Sequence, residues 1–152
     1  MILCRFLTAF IEKILERFRI TSGRSVPADP NVKLRPRRAE EPGGTWPFRE
    51  AVGCLMWVCN MTRPDISNAV RDVARHAHDP SPQHWEAVRY ILRYLRDTKT
   101  LGLTFQRGRG LRLTVYSDSD YARNDSDRKS VSGGVIICGG RRCRGIQERN
   151  VV

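Results

Sequence analysis

Between residues 2 and 18 the apolar side chains Ile2, Leu3, Phe6, Leu7, Phe10, Ile11, Ile14, Leu15 and Phe18 return in pairs every four positions. At about 100° per residue they make one broad apolar stripe, which predicts an amphipathic helix over residues 1–20. Residues 21–45, TSGRSVPADPNVKLRPRRAEEPGGT, lose this period and are rich in Pro, Gly and charge, so a connecting loop is expected there. Three helical patterns follow within residues 46–98. In the first, Pro47 stands at a first-turn position and Phe48, Val52, Leu55, Met56 and Cys59 share a face. In the second, Thr62 is expected to cap a helix with Pro64 and Asp65 in its first turn and Ile66, Ala69, Val70, Val73 and Ala77 inward. In the third, Ser81 caps, Pro82 occupies the first position, and Trp85, Val88, Ile91, Leu92 and Leu95 form the buried stripe. The opposite side of that helix carries Arg89, Arg93 and Arg96, with Tyr90 and Tyr94 at its flank.

After Thr98 the period changes to two. Leu103 and Phe105 alternate before a Gly-containing turn at 108–110, and Leu111, Leu113 and Val115 after it, which predicts a β-hairpin. SVSGGVIICGG reads as a further strand, and RRCRGIQERNVV as the start of one more. The fold class expected is α+β, a helical unit to about residue 98 followed over 99–152 by an antiparallel meander.

Charge narrows the function. Lys and Arg outnumber Asp and Glu by 27 to 16, giving a formal charge of +11 and a pI near 10.2. Such an excess favours a polyanionic partner, nucleic acid first, over an acidic small molecule, with a merely solvated basic surface as the plainer reading. The arginines suit phosphate, because a planar guanidinium presents a fork of donors. No phosphate loop, nucleotide fingerprint or Ser-His-Asp arrangement is present. The N-terminal apolar run is too short and too charged to span a bilayer, and Glu12 and Glu16 argue against a mitochondrial presequence. No membrane partner is expected, and no compartment signal chooses between cytoplasm and nucleus, although secretion is not expected. Five cysteines without a secretory signal read as reduced thiols.

Candidate metal positions are weak. Cys54 and Cys59 are five apart, which on a helix leaves them well off one face, so core cysteine is expected. Cys138 and Cys143 flank GGRR and could face each other across a hairpin. His76, His78 and His84 surround one junction without an acid or thiol to complete a ligand set, and surface or capping roles are expected. Asp118, Asp120, Asp125 and Asp127 follow a strand pattern, but as a calcium loop they fail, with Ala122, Arg123 and Lys129 at ligand or glycine positions. Asp125 and Asp127 are most simply turn residues.

Three segments in this order, FREAVGCLMWVCNMTRPDISNAV, QHWEAVRYILRYLRDTKTLGLTF and LTVYSDSDYARNDSDRKSVSGG, resemble the Pol polyprotein of copia-type LTR retrotransposons, in the stretch joining reverse transcriptase to ribonuclease H. The upstream IEKILERFRI and VPADPNVKL look similar to the same polyprotein slightly earlier, so the resemblance covers about residues 10–138. It implies that residues 1–20 come from the end of the polymerase, that 46–98 form a thumb-like helical unit gripping a template–primer duplex, and that 99–152 open an incomplete ribonuclease H-like meander. The polymerase aspartates, a Tyr-Val-Asp-Asp type turn, are expected upstream of this chain.

By motif position Asp118 corresponds to the first ribonuclease H carboxylate, here a vestigial catalytic position and an incomplete metal site. The parent uses Mg2+ held by several carboxylates, and one carboxylate cannot hold two ions. The expected helix bearing a further acid is replaced by RRCRGIQERNVV, and Arg123-Asn124 stand where the family has Gly-Asp. The implied function is therefore a fragment of a reverse transcriptase/ribonuclease H polyprotein, which in its intact form carries out RNA-directed DNA synthesis for a mobile element. This chain is expected to be without catalysis or bound cofactor of its own. It is expected to bind RNA/DNA hybrid or duplex weakly and electrostatically through Arg89, Arg93 and Arg96, and to have no small-molecule substrate. The alternatives are a small basic nucleic-acid-binding protein retaining that surface, or a relic that does not fold.

Overall fold

A computed structural model describes residues 2–5, 7–106, 113–120, 130–138 and 141–150, with side-chain surroundings for 7–104, 113–117 and 133–137. The described residues mix helix and strand. They divide into two compact units, Phe6–Gly102 and a unit drawn from Met1–Arg5 with Leu103–Val152.

The first unit is built from four helices: α1 (Thr8–Arg17), α2 (Phe48–Met61), α3 (Ser67–Ala74) and α4 (Pro82–Asp97). Their apolar faces meet in one core. Ile11 and Ile14 of α1, Leu55 and Val58 of α2, Val70 and Val73 of α3, and Leu92 and Leu95 of α4 are all buried there. Each such side chain contributes about 1.5–3 kcal/mol by leaving water. Trp85 closes one edge, stacked on Trp46 at 6.4 Å and edge-on to Phe18 at 6.1 Å. Residues 18–47 contain no helix or strand, as their composition predicts.

α1 ends in a Schellman turn: Ile20 N–H reaches the Leu15 carbonyl at 2.9 Å and Arg19 N–H the Glu16 carbonyl at 3.0 Å. Leu15 and Ile20 are both buried, which supplies the hydrophobic contact of that motif. The left-handed position, usually glycine, is Arg19 at φ 51°.

Several local expectations are corrected. The helical stripe does not extend to residue 2, because Ile2–Arg5 is a strand, β1. It pairs antiparallel with β2 (Leu103–Gln106), Leu3 opposite Phe105. Thus β2 has β1 as its partner, and the expected hairpin between Leu103–Phe105 and the strand beginning near Leu111 does not form among the described residues. Alternation marks a strand but carries no label for its neighbour, and the apolar ILCR segment supplies one. Thr62 does not cap the following helix. It ends α2, and a 3₁₀ turn at Pro64–Ile66 leads into α3. The proline and its tightly bound predecessor Arg63 set that turn before the α-helix begins. On α2, Met56 is 48% exposed and Ala51 and Val58 are buried instead, because an apolar helix offers more than one face to the core.

In the second unit β3 (Leu113–Asp120), β4 (Ser130–Cys138) and β5 (Arg141–Asn150) form an antiparallel sheet in that order. Val115 stands opposite Ile136 and Tyr116 opposite Val135, so both faces carry apolar side chains. Cys138 stands opposite Arg141 rather than Cys143, which falls at the register shift between Arg142 and Arg144. The proposed turns at 108–110 and around Arg123, Asn124, Asp125 and Asp127 lie outside the described residues.

Candidate nucleic-acid interface

α4 starts where Ser81 adopts an extended backbone and Pro82 follows. Ser81 N–H donates to His84 Nδ1 at 2.9 Å, so histidine takes the place that Glu or Gln holds in the usual capping box. From this start the helix turns Glu86, Arg89 and Arg93 onto one side and its apolar stripe onto the core.

The three arginines differ in what they can offer. Arg93 forms an ion pair with Glu86 and its side chain is 16% exposed. Arg89 Nε lies 4.0 Å from the same carboxylate, too long for a hydrogen bond. Arg96 is exposed. Residues 23–24 lie across this side: Arg24 N–H donates to the Arg93 carbonyl at 3.3 Å, and the Arg24 guanidinium stands 5.2 Å from the Tyr90 ring centre. A Cβ on Gly23 would strike the Asp97 carboxylate at 1.9 Å, so glycine permits that approach. An anion approaching Arg93 would have to compete with Glu86, whereas Arg96 stands exposed.

A second constellation escaped the sequence reading. Arg63, at 1% exposure, is the largest fully buried side chain of the described residues. Its Nε and Nη2 donate to the two Asp65 oxygens at 3.0 and 2.7 Å, and Nη1 and Nη2 to the Thr98 carbonyl and hydroxyl at 2.8 and 2.7 Å. Tyr94 lies under the guanidinium at 5.3 Å and its hydroxyl donates to Asp65 Oδ2 at 2.8 Å. Burial pushes Asp65 up, but the Arg63 bonds and charge, with the Tyr94 bond, outweigh it and hold the carboxyl below its usual range. Burial and then Asp65 push the Tyr94 hydroxyl up. This clasp fastens the end of α2 to the end of α4. The TRPDI segment held its only signal, and composition alone assigns such an arginine to the surface.

Asp118 lies on β3 opposite Gly133, and Asp120 opposite Val131. Among the described residues no group of three or more His, Cys, Asp or Glu side chains is placed to hold a metal ion. Cys54 and Cys59 are half-buried on α2 and outside any disulfide; burial raises the Cys54 thiol, and Cys59 Sγ lies 3.1 Å from Ser67 Oγ. His76 and His84 come together, their rings stacked at 3.9 Å, while His78 is exposed. Among the described residues no helix is long and apolar enough to cross a membrane.

Known proteins give this arrangement a context. The chain is 41% identical over 132 residues to the retrovirus-related Pol polyprotein from transposon TNT 1-94 of Nicotiana tabacum, covering 82% of this chain and 10% of that polyprotein. It is 33% identical over 132 residues to the Pol polyprotein from transposon RE1 of Arabidopsis thaliana, covering 86% and 9%. It is also 44% identical over 87 residues to a secreted RxLR effector protein 161 of Plasmopara viticola, covering 57% of this chain and 61% of the effector. No protein-family model matches the chain. No solved structure matches it.

The chain is thus related to the Pol polyproteins of transposable elements. Within that class its relatives include those of copia-type retrotransposons, at 33–41% identity over most of the chain. It spans about a tenth of the length of those polyproteins and corresponds in sequence to a fragment of one.

Proposed function

We propose that the chain is the segment of a copia-type Pol polyprotein that joins the reverse transcriptase thumb to ribonuclease H, and that it binds an RNA/DNA hybrid or duplex without catalysis of its own. The observation that carries this reading is the similarity to Pol polyproteins over 82–86% of the chain. The +11 charge and the arginines of α4 support the choice of partner. In this reading residues 46–98 are the thumb-like unit, and Arg89, Arg93 and Arg96 meet backbone phosphates. Asp118 is the first ribonuclease H carboxylate in this reading.

The test is fluorescence anisotropy with a labelled RNA/DNA hybrid across a salt series. Each neutralised phosphate contributes about 0.9 to the slope of log affinity against log salt. Replacing Arg89, Arg93 and Arg96 together by Gln is expected to reduce that slope by roughly 2–3 and leave cooperative unfolding intact. An unchanged slope removes the α4 surface from the interface. Magnesium-dependent cleavage of the hybrid that Asp118→Asn abolishes would overturn the non-catalytic part.

A further inference from the structure

His84 is completely buried in the first turn of α4, and both of its ring nitrogens have partners of fixed role. Nδ1 accepts the Ser81 backbone N–H at 2.9 Å and lies 3.1 Å from the Ser81 hydroxyl. Nε2 is 2.8 Å from the Arg35 carbonyl oxygen. An amide N–H only donates and a carbonyl only accepts, so the ring must be neutral with its proton on Nε2. The His76 ring covers His84 with centroids 3.9 Å apart and planes 9° apart.

The surroundings favour the uncharged pair. The segment 35–41 brings Arg35, Arg37, Arg38, Glu40 and Glu41; the α3–α4 junction brings Arg75, His78 and Asp79; α2 brings Arg49, whose Nε donates to the Ala77 carbonyl at 3.0 Å. Glu41 is engaged by Arg35, and Asp79 by Arg37 at 2.8 Å. Glu41 and Asp79, the acids that act on His84, are therefore already paired, and Arg35 and Arg75 oppose an imidazolium. Besides the His84 bond, the segment is held to the α3–α4 junction by the partly exposed Arg37–Asp79 ion pair, and such pairs hold weakly, whereas Arg35–Glu41 and the Arg37 bond to the Glu41 carbonyl lie within the segment itself.

We propose that the stacked His76 and His84 are a proton-operated latch: while both rings are neutral they hold the arginine-bearing segment 35–41 on the first turn of α4, and a proton on either ring releases it. A proton on His84 Nδ1 would point at the Ser81 N–H and destroy the cap. A proton on His76 would set a positive charge against the face of a buried ring. In keeping with this, burial first, then the charges of His84, Arg75 and His78, take His76 from 6.5 to about 4. Burial also lowers His84, partly offset by its bond to Arg35 and by Glu41. The sign follows: the unfolded rings protonate near 6.5 and the folded ones lower, so the latch is at full strength above 6.5 and weakens as pH falls toward 4.

The test follows histidine side-chain and backbone amide NMR signals of the full chain from about pH 7.5 down to about pH 4.5. The expected result is the Nε2–H form of His84 at the upper end. With intrinsic rates accounted for, exchange protection of the Ser81 and Glu41 amides falls by about tenfold or more, while Leu92 and Leu95 change by less than about threefold. His84→Gln keeps a capping-box acceptor that does not titrate, and His76→Phe keeps the stack without a charge. Either is expected to flatten the pH response of Ser81 and Glu41. If His84→Gln does not fold, His76→Phe decides. Folded-state titration of both rings at or above 6.5, or a pH response undiminished in the folded variants, would overturn the latch.

Discussion

In the helical unit Leu55, Leu92 and Leu95 are completely buried, whereas in the sheet Leu113, Val115 and Tyr116 stand 60–66% exposed. Both stretches carry an apolar pattern of the right period, and both form the predicted kind of element. The difference lies in what covers them. A helix closes its own backbone hydrogen bonds and needs only one face covered, so α1, α2, α3 and α4 complete one core among themselves. A strand closes its bonds only with another strand, and its faces need separate layers. Period decides the element; it does not decide burial.

The contrast can be broken or sharpened by substitution, monitored by urea unfolding with circular dichroism at 222 nm. Leu55→Ala leaves a cavity in a closed core and is expected to cost about 2–5 kcal/mol. Arg63→Ala, which strips the clasp and leaves Asp65 with Tyr94 as its remaining donor and the Thr98 carbonyl without Arg63, is expected to cost about 2–4 kcal/mol. A loss below about 1 kcal/mol from either would mean that the helical unit is looser than its packing.

Asp65→Asn is expected to cost about 1 kcal/mol at neutral pH, discounted because that carboxylate is 39% exposed. Its folded value is depressed, so its contribution is complete above 3.8 and lost as pH falls through the folded value. The variant should therefore lose part of the acid limb of the stability profile. Arg19→Gly relieves a left-handed backbone and is expected to stabilise by about 0.5–1 kcal/mol. At the bottom of the scale, Val115→Thr on the exposed strand should stay within about 0.5 kcal/mol. A cost near that of Leu55→Ala would show that something covers the sheet in solution.

How much was legible in the sequence follows the same division. The stripe Val88, Ile91, Leu92 and Leu95 and the Ser81 cap are local patterns, and they are found where the period put them. The strand at Ile2–Arg5 was not legible, since four apolar-rich residues ahead of an amphipathic helix continue its period by chance and only the distant Leu103–Gln106 recruits them as strand. The half-masking of Arg93 by Glu86 could have been read from their seven-residue spacing. The burial of Arg63 could not, because its compensation comes from Thr98, far along the chain. His84 fell between: its capping position was visible, its place under His76 was not.

The clasp has a mechanical side. Because Arg63 grips Thr98, the two ends of the stretch holding α3 and α4 are fastened together, and the chain between them hangs as a closed bight. Tension drawn along the backbone from outside would pass across the guanidinium bonds in parallel and bypass the two helices until those bonds give way together. Under load, α3 and α4 would yield in one step after the clasp and not turn by turn.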